Sequence, residues 1–136
     1  MAWVTFNCLL PDMAAGAHDF ANDALYAVLT NTAPDLTDTI LGDIVQISGT
    51  GGYGVKTIGA FTVDETDGVL TVSHPEFVWT PSGADFDPAR YVAICNVTAS
   101  NKLVAYTDYG VSYAVPDGVP FTVTASTLFT IRPASA

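Results

Sequence analysis

The feature that most constrains this chain is its punctuation. From position 56 onward, short runs rich in β-branched and aromatic residues alternate with clusters of Gly, Pro, Asp and Asn, at intervals of roughly 8–12 residues. TIGAFTV, GVLTVSH, EFVWT, RYVAICNV, LVAYTDYG, VPFTVTA and TLFTIRP have strand length and strand composition. DETDG, PSGADFDPA, ASNK and VPDG between them are turn sequences, with Gly68 placed where a positive φ is tolerated. RYVAICNV lacks polar alternation, which suits a central strand buried on both faces. In EFVWT, Phe77 and Trp79 share a face. The predicted class is all-β, an antiparallel β-sandwich or barrel of jelly-roll-like kind.

The N-terminal part adds three expectations. Trp3 to Leu10 alternates through Val4, Phe6, Cys8 and Leu10 and reads as a first strand. ALYAVLTN reads as a second, with Leu25, Ala27 and Leu29 on one face, although its propensities also permit helix. Leu36, Ile40, Leu41, Ile44 and Ile47 recur at helical spacing, which predicts one short helix or helical turn within residues 36–47, capped by Thr37 or Asp38 and weakened by Gly42. SGTGGYG follows as a mobile loop, and the closing PASA is expected to fray. At 136 residues, the expectation is a single β-rich domain over residues 1–136.

Charge narrows the partners. Only 13% of residues are charged, against roughly a quarter in ordinary soluble domains, while 49% are hydrophobic. The polar surface must then come from Thr, Ser, Asn and Gly, and such a surface desolvates cheaply when a neighbour covers it. Fourteen acidic against four basic residues leave a net charge of −10, which phosphate backbones and anionic membranes repel. The expected partners therefore include no nucleic acid and no membrane. The opening MAWVTFNCLLPD has no basic region and does not read as a secretory signal. Cys8 and Cys95 read as small buried hydrophobes in a reducing compartment.

Candidate reactive groups are sparse. Asp64, Glu65 and Asp67 crowd one turn and Asp85 and Asp87 another, but calcium needs six to eight converging oxygens, and no metal is expected. His18 and His74 have no Cys or His at zinc-ligand spacing, and His18 reads as ordering the turn before Asn22 and Asp23. Ser73 is merely adjacent to His74, and no Gly-x-Ser-x-Gly elbow occurs. A small glycan hydrolase would have to rest on Asp108 or Glu76. The expectation is no catalysis and no cofactor. The residues singled out instead are Trp79, Arg90, Tyr91, Tyr106, Asp108, Tyr109 and Tyr113, as core and edge packing or as an aromatic contact surface. Arg90 is expected to pair with Asp85, Asp87 or Asp108.

Three segments in order resemble a family of small virion structural proteins of tailed bacteriophages. The first is GAHDFANDALYAVLTNTAPDLTDTILGDIVQISGTGGY, carrying Gly16, His18, Asp19, Asp23, Leu29, Thr30, Asn31, Pro34, Leu41, Asp43, Ile44, Gly52 and Tyr53 at the matching positions. The second is Val78–Thr80, and the third is RYVAICNVTASNKLVAYTDYG. After Gly54 the chain departs from the family pattern, with VKTIGA in place of a second Gly-rich step. The resemblance implies a phage or prophage virion protein of the head or the tail. With the low charge and the predicted β architecture, the first expectation is a capsid decoration (cement) protein on the capsid surface, bound to the major capsid protein and assembled in the bacterial cytoplasm. Three-fold lattice positions make a homotrimer its natural state. The alternative is a tail- or fibre-associated module contacting host surface glycans.

Overall fold

The computed structural model describes residues 2–133. Its centre is the pair of strands with the most continuous apolar sequence, β2 (Leu25–Thr30) and β7 (Ala89–Asn96), joined antiparallel with Leu25 opposite Asn96 and Thr30 opposite Tyr91. Together with β1 (Trp3–Thr5), β3 (Lys56–Ile58) and β8 (Lys102–Tyr113) they form a five-stranded sheet in the order β1-β8-β7-β2-β3. Two smaller antiparallel sheets complete the β structure. One is β10-β5-β4, from β4 (Thr62–Thr66), β5 (Val69–His74) and β10 (Ser126–Ile131), and the other pairs β6 (Phe77–Trp79) with β9 (Phe121–Val123). Of the sandwich and the barrel, the chain takes the sandwich.

Period-two alternation places the core. Leu25, Ala27, Leu29, Val92, Ile94 and Ala105 on one face of the large sheet meet Val72 and Leu128 of the three-stranded sheet and Phe77, Trp79 and Val123 of the two-stranded one. The opposite face carries Val28, Ala93, Cys95 and Leu103, and it is covered by Phe6, Leu41 and Ile44 rather than by a sheet. That cover explains why β7 is buried on both faces, as its composition requires. The turns behave as their residues dictate. Asp67 and Gly68, with φ of 51° and 80°, close the β4–β5 hairpin, and Ser100 and Asn101, at 57° and 63°, close β7–β8.

Two expectations are corrected, and a third, the helical turn within residues 36–47, is met in its smallest form. The first strand stops at Thr5, and Leu9–Ala14 forms a helix, α1, with Pro11 in its first turn, where a missing N–H is tolerated. Leu9 is buried and Leu10 is 59% exposed, the reverse of what strand alternation through Leu10 demands. Within residues 36–47 the helical element shrinks to one 3-10 turn, Leu41–Asp43, whose entering N–H groups at Thr39 and Ile40 donate to the Asp43 carboxylate. Thr37 and Asp38 do not cap it. The segment lies along strands instead: Leu103 N–H donates to Thr39, Leu41 N–H to Asn101, and Ile47 N–H to Leu29. Backbone groups spent on these bonds are not available to a longer helix. The Gly-rich loop is pinned as well, since Ser82 N–H donates to Gly51 and Trp79 Nε1–H to Gly54.

The closing residues expected to fray lie, from 134 onward, outside the described residues. Among the described residues no helix is long and apolar enough to cross a membrane.

Candidate functional site

Strand β8 runs for twelve residues, but its neighbours do not. β1 pairs only with Ala105–Thr107, and β7 meets the far half only at Asp108, opposite Tyr91, and at Tyr113, opposite Ala89. The register breaks between Ala89 and Tyr91, and Arg90 sits at that break. From there its guanidinium reaches Asp108 in a two-pronged contact, Nε to Oδ1 at 2.8 Å and Nη2 to Oδ2 at 3.1 Å, with its central carbon 5.4 Å from the Tyr91 ring centre. Asp108 Oδ1 also accepts the Gly110 N–H at 2.7 Å, beside a glycine whose φ is 82°. The Arg90 contact and then the Gly110 amide hold the Asp108 carboxyl below the usual carboxylate range. Of the three acids named for Arg90, Asp108 is the partner. Asp85 and Asp87 serve loops, accepting from Asp117 N–H and from the Ser48 hydroxyl.

The seven residues singled out from sequence separate into three groups. Tyr91 and Tyr106 lie with Arg90 and Asp108 on the outer face of the large sheet, their rings 6.3 Å apart, and Tyr106 also packs against Phe6. Tyr91 is buried, so it offers no platform. Trp79 is buried in the main core, edge-on to Phe77, and presents no surface. Tyr109 and Tyr113 line an apolar groove of about 320 Å³ with Val115, Pro116, Val119 and Phe121, Tyr109 resting edge-on against Phe121. Tyr113 is 54% exposed and Val119 46%, and Val111 one strand position pair before Tyr113 is 57% exposed. Exposed apolar side chains thus gather at one end of a strand whose edge is partly unpaired.

Sequence reasoning found Tyr109 and Tyr113 but not the opposite wall. VPDG reads as a turn and VPFTVTA as a strand, and the Val-Pro step that opens each is the available signal: Pro116 and Pro120 carry no N–H and stiffen an apolar rim. Among the described residues no three or more His, Cys, Asp or Glu side chains gather into a group that could hold an ion. Both thiols are free. Burial pushes Cys95 up to about 11, and burial with nearby Asp12 raises Cys8, so neither is activated.

The chain matches no family model, no curated protein and no solved structure.

The histidines are held by different means. His18 Nδ1 and Asp23 Oδ2 both contact the Asn96 amide nitrogen, at 3.0 and 2.7 Å, and Asp23 Oδ2 also accepts the Asp19 N–H at 2.8 Å. The turn before Asn22 and Asp23 is held by Asp19 and Asp23 rather than by His18, whose one hydrogen-bond contact among the described residues is Asn96 on β7. His74 is buried between aromatic rings and contacts Pro75 and Ser126.

Proposed function

We propose that this chain is a virion structural protein of a tailed bacteriophage, a decoration protein that binds neighbouring capsid subunits on the head as a homotrimer. The observation that carries this reading is the apolar groove at the end of β8. Its lining from Tyr109 to Phe121 contains no charged residue, so covering it desolvates no charge, and Tyr113, Val111 and Val119 supply apolar area to bury. The low charge of the whole chain and the ordered resemblance of residues 16 to 110 to small phage structural proteins support the same reading. Capsid lattices present three-fold positions, and a trimer matches that symmetry. The glycan-binding alternative draws less support, because a sugar platform needs several exposed aromatic faces and Tyr91 and Trp79 are buried.

The test is the protein's place and copy number in purified virions, read by cryo-electron microscopy. The expected result is density on the outside of the head in numbers near those of the capsid protein. A few copies confined to the tail tip would overturn the reading. At the level of the groove, Tyr113→Asp places a charge where a partner must close. It is expected to lower occupancy on heads at least tenfold while leaving the melting temperature within about 2 °C of the parent, because Tyr113 packs on the surface. Full occupancy by that variant would exclude the groove as the contact.

A further inference from the structure

Strand pairing sets Ser126, the first residue of β10, directly opposite His74, the last of β5. Fifty-two positions separate them, so no local motif could announce the pair. His74 Nδ1 lies 2.9 Å from the Pro75 carbonyl oxygen, which can only accept, so Nδ1 carries the proton. Nε2 is then an unprotonated acceptor, and the Ser126 hydroxyl 3.0 Å away donates to it. The same hydroxyl oxygen accepts the indole N–H of Trp3 at 3.3 Å.

A base within hydrogen-bond reach and a third group that fixes the base's tautomer are the two contacts that activate a serine nucleophile, and the long Trp3 contact is one an incoming substrate oxygen can take over. The carbonyl of Pro75 fills the place an aspartate often takes. Rings of Trp3, Phe61 and Phe77 surround the imidazole, 5.2, 6.4 and 5.5 Å away between centres, and keep it from rotating. Burial holds its pKa below the ordinary histidine value, so the base is free at neutral pH. Ser126 itself is exposed and opens onto a pocket of about 300 Å³ where the three sheets meet. Trp3, Thr107, Tyr109, Thr122 and Thr124 line it, and no charged side chain does.

We propose that Ser126 is an acyl-accepting nucleophile, with His74 as its general base, toward neutral esters of short carboxylic acids. The uncharged lining disfavours carboxylate or phosphate substrates, and the volume lies at the small end of ligand pockets. The Ser126 oxygen attacks the ester carbonyl carbon while its proton passes to His74 Nε2. The carbon–oxygen bond to the alcohol then breaks, the departing alkoxide takes that proton, and the acyl group remains on Ser126. Water attacking the acyl-serine with His74 again as base releases the carboxylic acid and restores the hydroxyl.

The experiment uses the whole chain and p-nitrophenyl acetate, following p-nitrophenolate release and mapping the acetyl group by peptide mass spectrometry. The acetyl group is expected on Ser126, and Ser126→Ala, an exposed position that tolerates the change, is expected to slow acylation by about 100-fold or more. The rate should level off to a plateau at a lower pH than an ordinary histidine base would give, because burial lowers the His74 pKa, whereas acylation of lysine or tyrosine keeps climbing to high pH. His74→Gln is expected to abolish the plateau, and if that variant fails to fold, the profile of the parent protein decides. Acetyl groups found only on lysine, tyrosine or the amino terminus, or an unchanged rate in Ser126→Ala, overturn the proposal.

Discussion

Asn96 is fully buried at the end of β7, and its surroundings fix which way its amide points. Its oxygen accepts the Ala99 N–H at 3.2 Å and its nitrogen donates to the Asp23 carboxylate, and neither partner can exchange roles. His18 Nδ1 must therefore accept the other amide hydrogen, which leaves the imidazole proton on Nε2, buried without a hydrogen-bond partner among the described residues. Protonating His18 would set one N–H against another. Burial lowers its pKa from 6.5, against the pull of Asp12 on α1 and Asp23, with Lys102 on β8 adding to the lowering. His74 is lowered by burial too. Well above pH 6.5 both histidines are neutral folded or unfolded, and the full stability is present. As pH falls below that value the unfolded chain takes up protons that the folded chain refuses, and stability drops until the folded pKa values are reached. Asp35, Asp43 and Asp108, held below 3.8 by their hydrogen bonds, add acid lability only at lower pH. The melting temperature is thus expected to fall between about pH 7.5 and about pH 5, and less steeply in His18→Gln. Asn96→Ala, which strands Asp23 and the Ala99 amide, is expected to cost about 2 kcal/mol or more in chemical denaturation. A flat melting profile across that range would show that neither imidazole is held neutral by the fold.

At the scale of elements, two glycines show where sequence patterns carry information and where they stop. Gly51 has φ of 72°, and a Cβ there would meet the Ala84 carbonyl oxygen at 2.7 Å. Gly42 is free of both constraints, since its nearest contact would be Ile40 at 3.7 Å. Gly51→Ala is therefore expected to destabilise by more than about 1 kcal/mol, and Gly42→Ala to be neutral or stabilising by less than about 1 kcal/mol. Urea denaturation of the two variants checks this, and equal effects would contradict the packing of residues 49–53 against the 81–86 loop. The strands from β5 onward, the two hairpin turns and the shared face of Phe77 and Trp79 were legible because period-two alternation and turn residues are local signals. The 36–47 segment holds only a single helical turn: Leu36, Ile40 and Leu41 keep helical spacing, but Leu36 and Ile40 stay exposed. Its partners are backbone groups of β2 and β8, which spacing cannot reveal. The same limit hid Ser126 from His74, whereas an acidic partner for Arg90 was legible from the scarcity of cations, its identity staying open among three acids until the register set Asp108 beside it.

On the scale of the whole molecule, charge and contact surface pull in opposite directions. A net charge of −10 makes any two copies repel, and the groove between Tyr109 and Phe121 offers no cation to offset that. Among the described residues Arg90 is already engaged by Asp108, and Lys102 approaches Asp12 at 3.9 Å. On the proposed homotrimer, association between copies would rest on burying Tyr113, Val111 and Val119 against the long-range repulsion of the rest. Salt screens that repulsion over about 10 Å at 0.1 M and leaves apolar burial in place. Self-association measured by sedimentation equilibrium is accordingly expected to strengthen as sodium chloride rises from about 0.05 M to about 0.5 M, and Tyr113→Asp to remove most of the gain. The opposite trend, copies separating as salt rises, would mean that ion pairs hold them. The surface responsible would then have to be sought near Arg132 or Lys56 rather than at the groove.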